Sequence, residues 1–184
     1  MRAHTKLSMQ TRGAALAAAA LIAVLVIGAN VVPSAAQEPA PPPISTEVLT
    51  PNRAVFTDDV GLKLKNTLDG EETEVAKAKD ASRTVVARIT VQPGAQFPWH
   101  THPGPVVANV AQGELAYVGA DDCVARKYPA GTAFVDAGGG HVHSAFNPTD
   151  GPTVVVATFF KAPEQGPLTI PIPPEEAPAD NCQI

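Results

Sequence analysis

Short apolar segments separated by turn residues are the feature that most limits what this chain can fold into. In Arg83–Val91 (RTVVARITV), Val85, Ala87, Ile89 and Val91 alternate with their neighbours, and a period of two is typical of a half-buried strand. Segments of the same kind follow, with glycine, proline or asparagine turns between them. We predict these further strands: Val106–Val110, Glu114–Val118, Cys123–Tyr128, Thr132–Val135, Val142–Phe146 and Thr153–Phe160.

Two earlier segments carry a weaker strand pattern. Gly61–Asn66 is one, and Thr73–Lys79 is the other, although the latter could equally form a short helix. No segment shows a sustained helical stripe, and no strand–helix–strand rhythm is present. Many short strands with hairpin-like turns indicate an all-β fold, an antiparallel sandwich or barrel.

The N-terminal segment 1–36 has the layout of a secretory signal. Arg2, Lys6 and Arg12 form a basic start, an apolar run covers Ala14–Ala29, and the small residues Ser34-Ala35-Ala36 follow. This order predicts cleavage after Ala36 and a secreted or extracytoplasmic protein of the cell envelope. The alternative is an uncleaved N-terminal anchor, because the apolar run is close to the ~20 residues that span a bilayer.

Charge argues against nucleic acid as a partner. Segment 1–36 contains three of the 13 basic residues and none of the 18 acidic ones, so the remainder has ten basic against 18 acidic residues, a formal charge of −8. A chain this acidic is repelled by nucleic acid and by anionic lipid. We therefore expect no nucleic-acid partner, and no membrane contact beyond a retained anchor.

Proline-rich stretches bound the predicted domain on both sides. Residues 37–46 read as a stiff linker, and residues 162–184 as a C-terminal tail, because closely spaced prolines exclude helices and central strands. Within the tail, Leu168–Ile172 could lie along the surface of the domain. The folded domain is predicted at residues 47–161.

The two cysteines of the chain, Cys123 and Cys182, both follow the predicted signal. An oxidising compartment favours a disulfide between them, which would tie the tail to the domain. Zinc ligation is the competing interpretation, but two cysteines 59 positions apart without a close pair make a poor zinc signature.

Histidines are the strongest chemical signal. After the predicted signal the chain has only four, in the pairs His100-x-His102 and His141-x-His143. Residues i and i+2 of a strand share one face, so each pair could present two imidazoles together. Imidazole binds zinc, copper, iron and manganese, and three such ligands leave open positions for water or substrate. The spacing therefore predicts one divalent metal ion of unspecified identity.

The surroundings of these pairs resemble a known family. Gly94-x5-His100-x-His102, followed by Gly113, looks like the first motif of the cupins, G-x5-H-x-H-x3,4-E-x6-G. The resemblance implies a double-stranded β-helix, or jelly roll, with a metal inside the barrel. It also implies that two copies could pair into a homodimer through their sheets.

The second cupin motif is matched more loosely. Gly140-x2-His143-x3-Asn147 fits its end, with Gly138 where proline is usual. This alignment implies His100, His102 and His143 as ligands and gives no ligand role to His141. From spacing alone, His141 remains an alternative ligand or a donor behind the metal.

One departure from the family pattern affects the charge of the site. The glutamate of the first motif falls on Val106, and the next residue is Val107, so a carboxylate ligand is missing. A three-histidine set is left, similar to that of the thiol dioxygenases. Without the carboxylate the site is more positive by one charge, which should favour an anionic substrate.

Aromatic residues near the histidines predict a small-molecule pocket. Phe97 and Trp99 are the pocket candidates, and Tyr117 could donate a hydrogen bond to a metal-bound species as the catalytic candidate. The function predicted is a metal-dependent oxidoreductase that acts on a small molecule with O₂. A non-catalytic module that binds a small ligand or a metal, and a metal-free isomerase-like cupin, are the alternatives.

Overall fold

The computed structural model describes residues 40, 42–50, 52–67, 73–81, 83–178 and 182. The predicted signal segment 1–36 lies outside these residues. Within them, no residue is helical, and accordingly no helix could cross a membrane. The strands are β1 (Ile44–Val48), β2 (Ala54–Val55), β3 (Leu62–Asn66), β4 (Glu74–Ala78), β5 (Arg83–Val91), β6 (His100–Thr101), β7 (Val106–Gln112), β8 (Glu114–Gly119), β9 (Ala125–Pro129), β10 (Ala133–Asp136), β11 (His143–Phe146), β12 (Thr153–Phe160) and β13 (Ile170–Pro171).

Two antiparallel sheets and one hairpin contain all of these strands. The first sheet has the order β1-β5-β12-β7-β10, with β2 also paired to β5; the second has the order β13-β6-β11-β8-β9. The hairpin β3–β4 forms a separate two-stranded sheet. This arrangement confirms the predicted all-β jelly roll, and it shows that the ambiguous segment Thr73–Lys79 forms a strand.

The core follows from the alternation in the sequence. In β5, Val85, Ala87 and Val91 are buried, and in the partner strand β12, Ala157 and Phe159 face the same side. Ala157 pairs with Ala87 and Phe159 with Val85. Burying a Val or Phe side chain contributes roughly 1.5–3 kcal/mol, so these central strands stabilise the scaffold on which the histidines are mounted.

The strands with little sequence signal lie at the edges of the sheets. β1 begins at Ile44, so its first three residues belong to the predicted linker 37–46, and it pairs with β5. β13 lies in the predicted tail 162–184 and pairs with β6, where Ile170 faces Thr101. The tail therefore runs along the domain, close to the first histidine pair.

A glycine turn brings the second histidine pair to the first. Gly138 has a φ of +58°, and a Cβ placed on it would overlap the carbonyl oxygen of Gly104. Only glycine avoids both the left-handed strain and this overlap. The close approach places the loop before β11 against the loop after β6, and β11 then pairs with β6 through His143 and His100.

Candidate metal centre

Three of the four predicted imidazoles meet inside the barrel. His100 lies in β6, His102 just after it, and His143 at the start of β11, and all three are buried. Their ring centroids are 4.2 to 5.0 Å apart. One nitrogen from each ring lies within 4.8 Å of the others, so the group can hold one metal ion.

Backbone carbonyls fix which nitrogens point at that position. His100 Nδ1 lies 2.7 Å from the Pro98 carbonyl oxygen, and His102 Nδ1 lies 2.8 Å from that of Leu168. A carbonyl oxygen only accepts, so both Nδ1 atoms donate and both Nε2 atoms carry a lone pair when the rings are neutral. Such a bond behind the ring is the usual support of a metal-binding histidine.

His143 is held differently from the other two ligands. Its Nδ1 lies 3.1 Å from Asp136 Oδ2 but makes no hydrogen bond of good geometry, and it is buried. Its ring stacks on Tyr117, with centroids 5.1 Å apart. A hydrogen on Nδ1 would face this carboxylate and would leave the lone pair of Nε2 free for an ion.

Burial keeps the three rings neutral. It lowers the pKa of His100 to about 4 and that of His143 to about 3, and it also lowers the pKa of His102. At neutral pH the lone pairs are therefore available, and an ion would not need to displace protons from these residues. The donor set fits a divalent ion of the zinc, copper, iron or manganese group.

Asp136 is a buried carboxylate beside the cluster. Its Oδ2 accepts from Tyr117 Oη at 2.8 Å and from His141 Nδ1 at 3.0 Å, and its Oδ1 accepts from the Gly138 amide at 2.9 Å. Burial alone would raise its pKa, but the bond from His141, the nearby imidazoles and the bond from Tyr117 together lower the pKa to about 2. Asp136 is therefore ionised under all ordinary conditions.

Sequence reasoning missed Asp136. It ends β10 directly opposite Val106 of β7, which is the position where the expected glutamate is absent. The available signal was a carboxylate at the end of a predicted strand, separated by one alanine from three glycines. The missing negative charge is thus largely restored from the neighbouring strand.

Tyr117 directs its proton away from the predicted target. The hydroxyl donates to Asp136 rather than to the cluster, although the residue does line the cavity next to it. Burial, followed by the charge of Asp136, raises the pKa of Tyr117 far above its ordinary value. The ring remains a neutral phenol that orients Asp136 and packs on His143.

His141 lies outside the three-histidine cluster. Its ring stacks near that of His143, with centroids 6.0 Å apart, and its Nδ1 donates to Asp136. That bond, against the effect of burial, raises the pKa of His141, and the charges of Glu74 and Asp121 add to the rise. The geometry places His141 as a donor to Asp136 behind the cluster, and it also brings His141 together with Asp136 and His143 as a second possible ligand group.

A small cavity of about 80 Å³ opens next to the three rings. Its polar side is formed by the histidines, Asp136 and Tyr117, and most of the remaining lining is aliphatic or aromatic. Phe97 is part of this lining, whereas Trp99 is not among the described residues that form it. Trp99 instead accepts a backbone hydrogen bond from Ile172 of the tail, at 2.9 Å.

The two cysteines form a disulfide. Cys123 and Cys182 are bonded, with their Cα atoms 4.7 Å apart. The bridge ties the end of the tail to the turn after β8, and Leu168 of the same tail supports His102. The tail is thus part of the framework of the site.

Comparison with known proteins gives one family match. Residues 87–159 match the family model of the cupin domain. No curated protein sequence matches the chain.

Solved structures with partial similarity include three proteins. An oxalate oxidase is 26% identical over 48% of this chain and 46% of its own, with a TM-score of 0.41. An RmlC-like cupin from Shewanella frigidimarina is 28% identical over 43% of this chain and 67% of its own, with a TM-score of 0.37. A sugar phosphate isomerase from Silicibacter pomeroyi is 24% identical over 42% of this chain and 50% of its own, with a TM-score of 0.37. The chain thus spans about half of the length of the oxalate oxidase it matches.

Proposed function

The chain belongs to the cupin superfamily through its residues 87–159, and from this premise we propose that it is an extracytoplasmic, metal-dependent oxidoreductase that uses O₂ to oxidise a small anionic molecule. One observation carries the proposal. Three neutral imidazoles converge on one point at the edge of a small, mostly apolar cavity. An ion bound there would supply Lewis acidity and open coordination positions.

The charges around the cluster favour a substrate with one negative charge. The three imidazoles are neutral and Asp136 carries one negative charge, so a divalent ion would leave a net charge of about +1. This net charge is one unit lower than the charge expected without Asp136, but it still favours binding of a small carboxylate, thiolate or phenolate. The aliphatic lining would accept the uncharged part of such a molecule.

The volume of the cavity limits the size of the substrate. The space next to the three rings is about 80 Å³, so we expect a small substrate. The tail contributes Thr169 to the lining of this cavity, so a larger molecule would contact the tail.

The arrangement of protons favours chemistry centred on the ion. Tyr117 donates a hydrogen bond to Asp136, and both oxygens of Asp136 accept hydrogen bonds from groups of the protein. Neither side chain has a spare proton directed at the cavity. Addition of both atoms of O₂ to a substrate needs no external reductant and no net proton transfer, so it suits this site better than hydrolysis.

The test begins with the full chain isolated from the extracytoplasmic fraction of expressing cells. Its metals are measured by mass spectrometry, and O₂ uptake is followed with a panel of small thiols, diketones and phenols. We expect a bound transition metal and uptake with at least one small monoanion. The variants His100→Ala and His143→Ala should lose both uptake and the ion of this cluster, whereas His141→Ala should keep that ion.

Other outcomes would replace the proposal. Zinc or copper without uptake would indicate the alternative function, a module that binds a metal or a small ligand. A protein without metal at the three histidines that isomerises a small molecule would be an isomerase-like cupin. If His141→Ala lost the ion and His100→Ala kept it, the ligand assignment itself would be wrong.

A further inference from the structure

A second group of metal-ligating side chains lies outside the three-histidine cluster and shares no residue with it. Glu74 comes from β4, Asp121 from the turn after β8, and His141 from the loop before β11. His141 Nε2 lies 3.4 Å from Glu74 Oε1 and 3.5 Å from Asp121 Oδ2. The three ligand atoms all lie within 4.8 Å of one another.

Asp136 fixes the orientation of the imidazole in this group. His141 Nδ1 lies 3.0 Å from Asp136 Oδ2, and since a carboxylate accepts, Nδ1 carries the hydrogen. The ring therefore directs Nε2 outward, between the two other carboxylates. A carboxylate behind a histidine whose second nitrogen faces further ligands is the arrangement found around protein-bound zinc.

The charges around this group favour a bound cation. Three carboxylates, including Asp136, each have an oxygen within 3.5 Å of a nitrogen of a single imidazole. A divalent cation bound to Nε2 would reduce the excess from three negative charges to one.

The distances distinguish a cation from a direct hydrogen bond. A charge-assisted N–H···O bond is about 2.7–2.9 Å long, so 3.4 and 3.5 Å are too long for one. Zinc binds imidazole nitrogen and carboxylate oxygen at about 2.0–2.2 Å, and two such ligands at the tetrahedral angle are then about 3.4 Å apart. The observed separations match two ligands of one tetrahedral ion.

We propose that Glu74, Asp121 and His141 form a second, outer divalent-cation site that takes zinc or a similar first-row ion, with solvent as the fourth ligand. The side chain of Asp121 is 79% exposed, so solvent can reach the ion. The imidazole ligand favours this class of ion over calcium or magnesium, which prefer all-oxygen sites.

The outer ion would also connect the hairpin β3–β4 to the barrel. Glu74 begins β4, while Asp121 and His141 belong to loops at the ends of strands of the second sheet. An ion shared among them would restrain the hairpin. Its lysine residues, among them Lys65 and Lys77, should then become less accessible to trypsin when zinc is present.

The experiment counts zinc on the full-length chain after removal of metal with a chelator. Calorimetric titration with Zn²⁺, checked by mass spectrometry, should give two equivalents for the unmodified protein. The double variant Glu74→Gln/Asp121→Asn should keep one, and each single variant should weaken the second equivalent by about 10-fold or more. The double variant should also lose the zinc-dependent protection of the hairpin from trypsin.

Two control proteins separate this site from the inner one. Glu47→Gln/Asp150→Asn removes the same two charges at exposed positions outside both groups, and it should keep two equivalents. His100→Ala/His102→Ala should keep one equivalent, which is the outer ion. The inference is overturned if Glu74→Gln/Asp121→Asn binds as many ions as the unmodified protein. If the unmodified protein binds a single equivalent of zinc and Glu74→Gln/Asp121→Asn binds none, the inner metal site is wrong and the outer site is supported.

Discussion

Alanine at two neighbouring glycines should have very different effects. Gly138 and Gly139 both have left-handed backbones, with φ of +58° and +61°. A Cβ at Gly138 would overlap the Gly104 carbonyl group, whereas a Cβ at Gly139 would meet no atom within 4 Å. Gly139→Ala is therefore a matched control for Gly138→Ala, since both place an alanine on a left-handed backbone and only Gly138→Ala creates this overlap.

The magnitudes follow from these two contributions. Left-handed backbone costs an alanine roughly 1–2 kcal/mol, and both variants bear this cost. In Gly138→Ala the new methyl group and the Gly104 oxygen must also separate to a normal C···O contact of about 3.3 Å. That separation moves the loop away from β6, so we expect a total loss of about 3–5 kcal/mol for Gly138→Ala.

The same displacement should reach the metal centre. The Gly138 amide donates to Asp136 Oδ1, and the Gly139 amide donates to the His102 carbonyl oxygen at 2.8 Å. We expect Gly138→Ala to weaken zinc binding at the three histidines by about 10-fold or more, as is usual when a group behind the ligands is disturbed. Gly139→Ala should bind zinc like the unmodified protein.

The assay is urea unfolding of the metal-free proteins at neutral pH, followed by zinc titration. Linear extrapolation gives the free energy of unfolding of each variant, and the slopes report whether the unfolded states are comparable. If the two variants differed by less than about 0.5 kcal/mol, the close approach of Gly138 to Gly104 would not be a constraint on this fold.

Three further predictions concern stability. The pKa of Asp136 is lowered from 3.8 to about 2 in the folded protein, so its contribution of about 2 kcal/mol is present above pH 4 and lost as the pH falls towards 2. The lowered pKa values of His100 and His143 destabilise both the unmodified metal-free protein and Asp136→Asn as the pH falls below 6.5. The difference between their free energies of unfolding should therefore shrink by about 2 kcal/mol as the pH falls from 4 towards 2, and a constant difference would contradict the prediction. Asn147→Ala should lower the free energy of unfolding by about 3 kcal/mol, because the buried amide donates to two carbonyl groups and accepts from Thr149. The control Asn109→Ala, at an exposed position, should change the free energy of unfolding by less than about 0.5 kcal/mol. Equal urea midpoints for these two variants would contradict the prediction. The double variant Cys123→Ser/Cys182→Ser opens a loop of 59 residues, so the free energy of unfolding should fall by roughly 4 kcal/mol. A thermal midpoint equal to that of the unmodified protein would show that the disulfide contributes nothing to stability.

The sequence predicted the central strands well because their alternation is a direct record of burial. β5 and β12 have regular patterns in which every second residue faces the core, and such patterns need no knowledge of the partner strand. The short strands β6 and β13 have no pattern of their own. They exist because residues on other strands supply their hydrogen bonds, so only the fold reveals them.

The same distinction separates the predicted from the missed parts of the site. The two H-x-H pairs were visible as spacing, and strand geometry placed two members of one pair together. Trp99 is predicted in the pocket because it is next to His100 in the sequence, but neighbours along the chain do not fix the direction of a side chain. The support of His102 by Leu168 depends on a contact across 66 positions, which no local pattern encodes.

Asp136 shows how register can conceal a functional charge. A pattern read along one strand finds valine at position 106 and concludes that the carboxylate is missing. Antiparallel pairing places Asp136 of β10 directly opposite that valine, and residues in such a pair share one face of the sheet. The carboxylate therefore reaches the same end of the barrel from the neighbouring strand, behind His143 rather than beside it. Because Asp136 accepts from Tyr117 and His141 at Oδ2 and from the Gly138 amide at Oδ1, it supplies charge to the site while both of its oxygens remain occupied. An ion at the three histidines would then experience the negative charge without losing an open position to it.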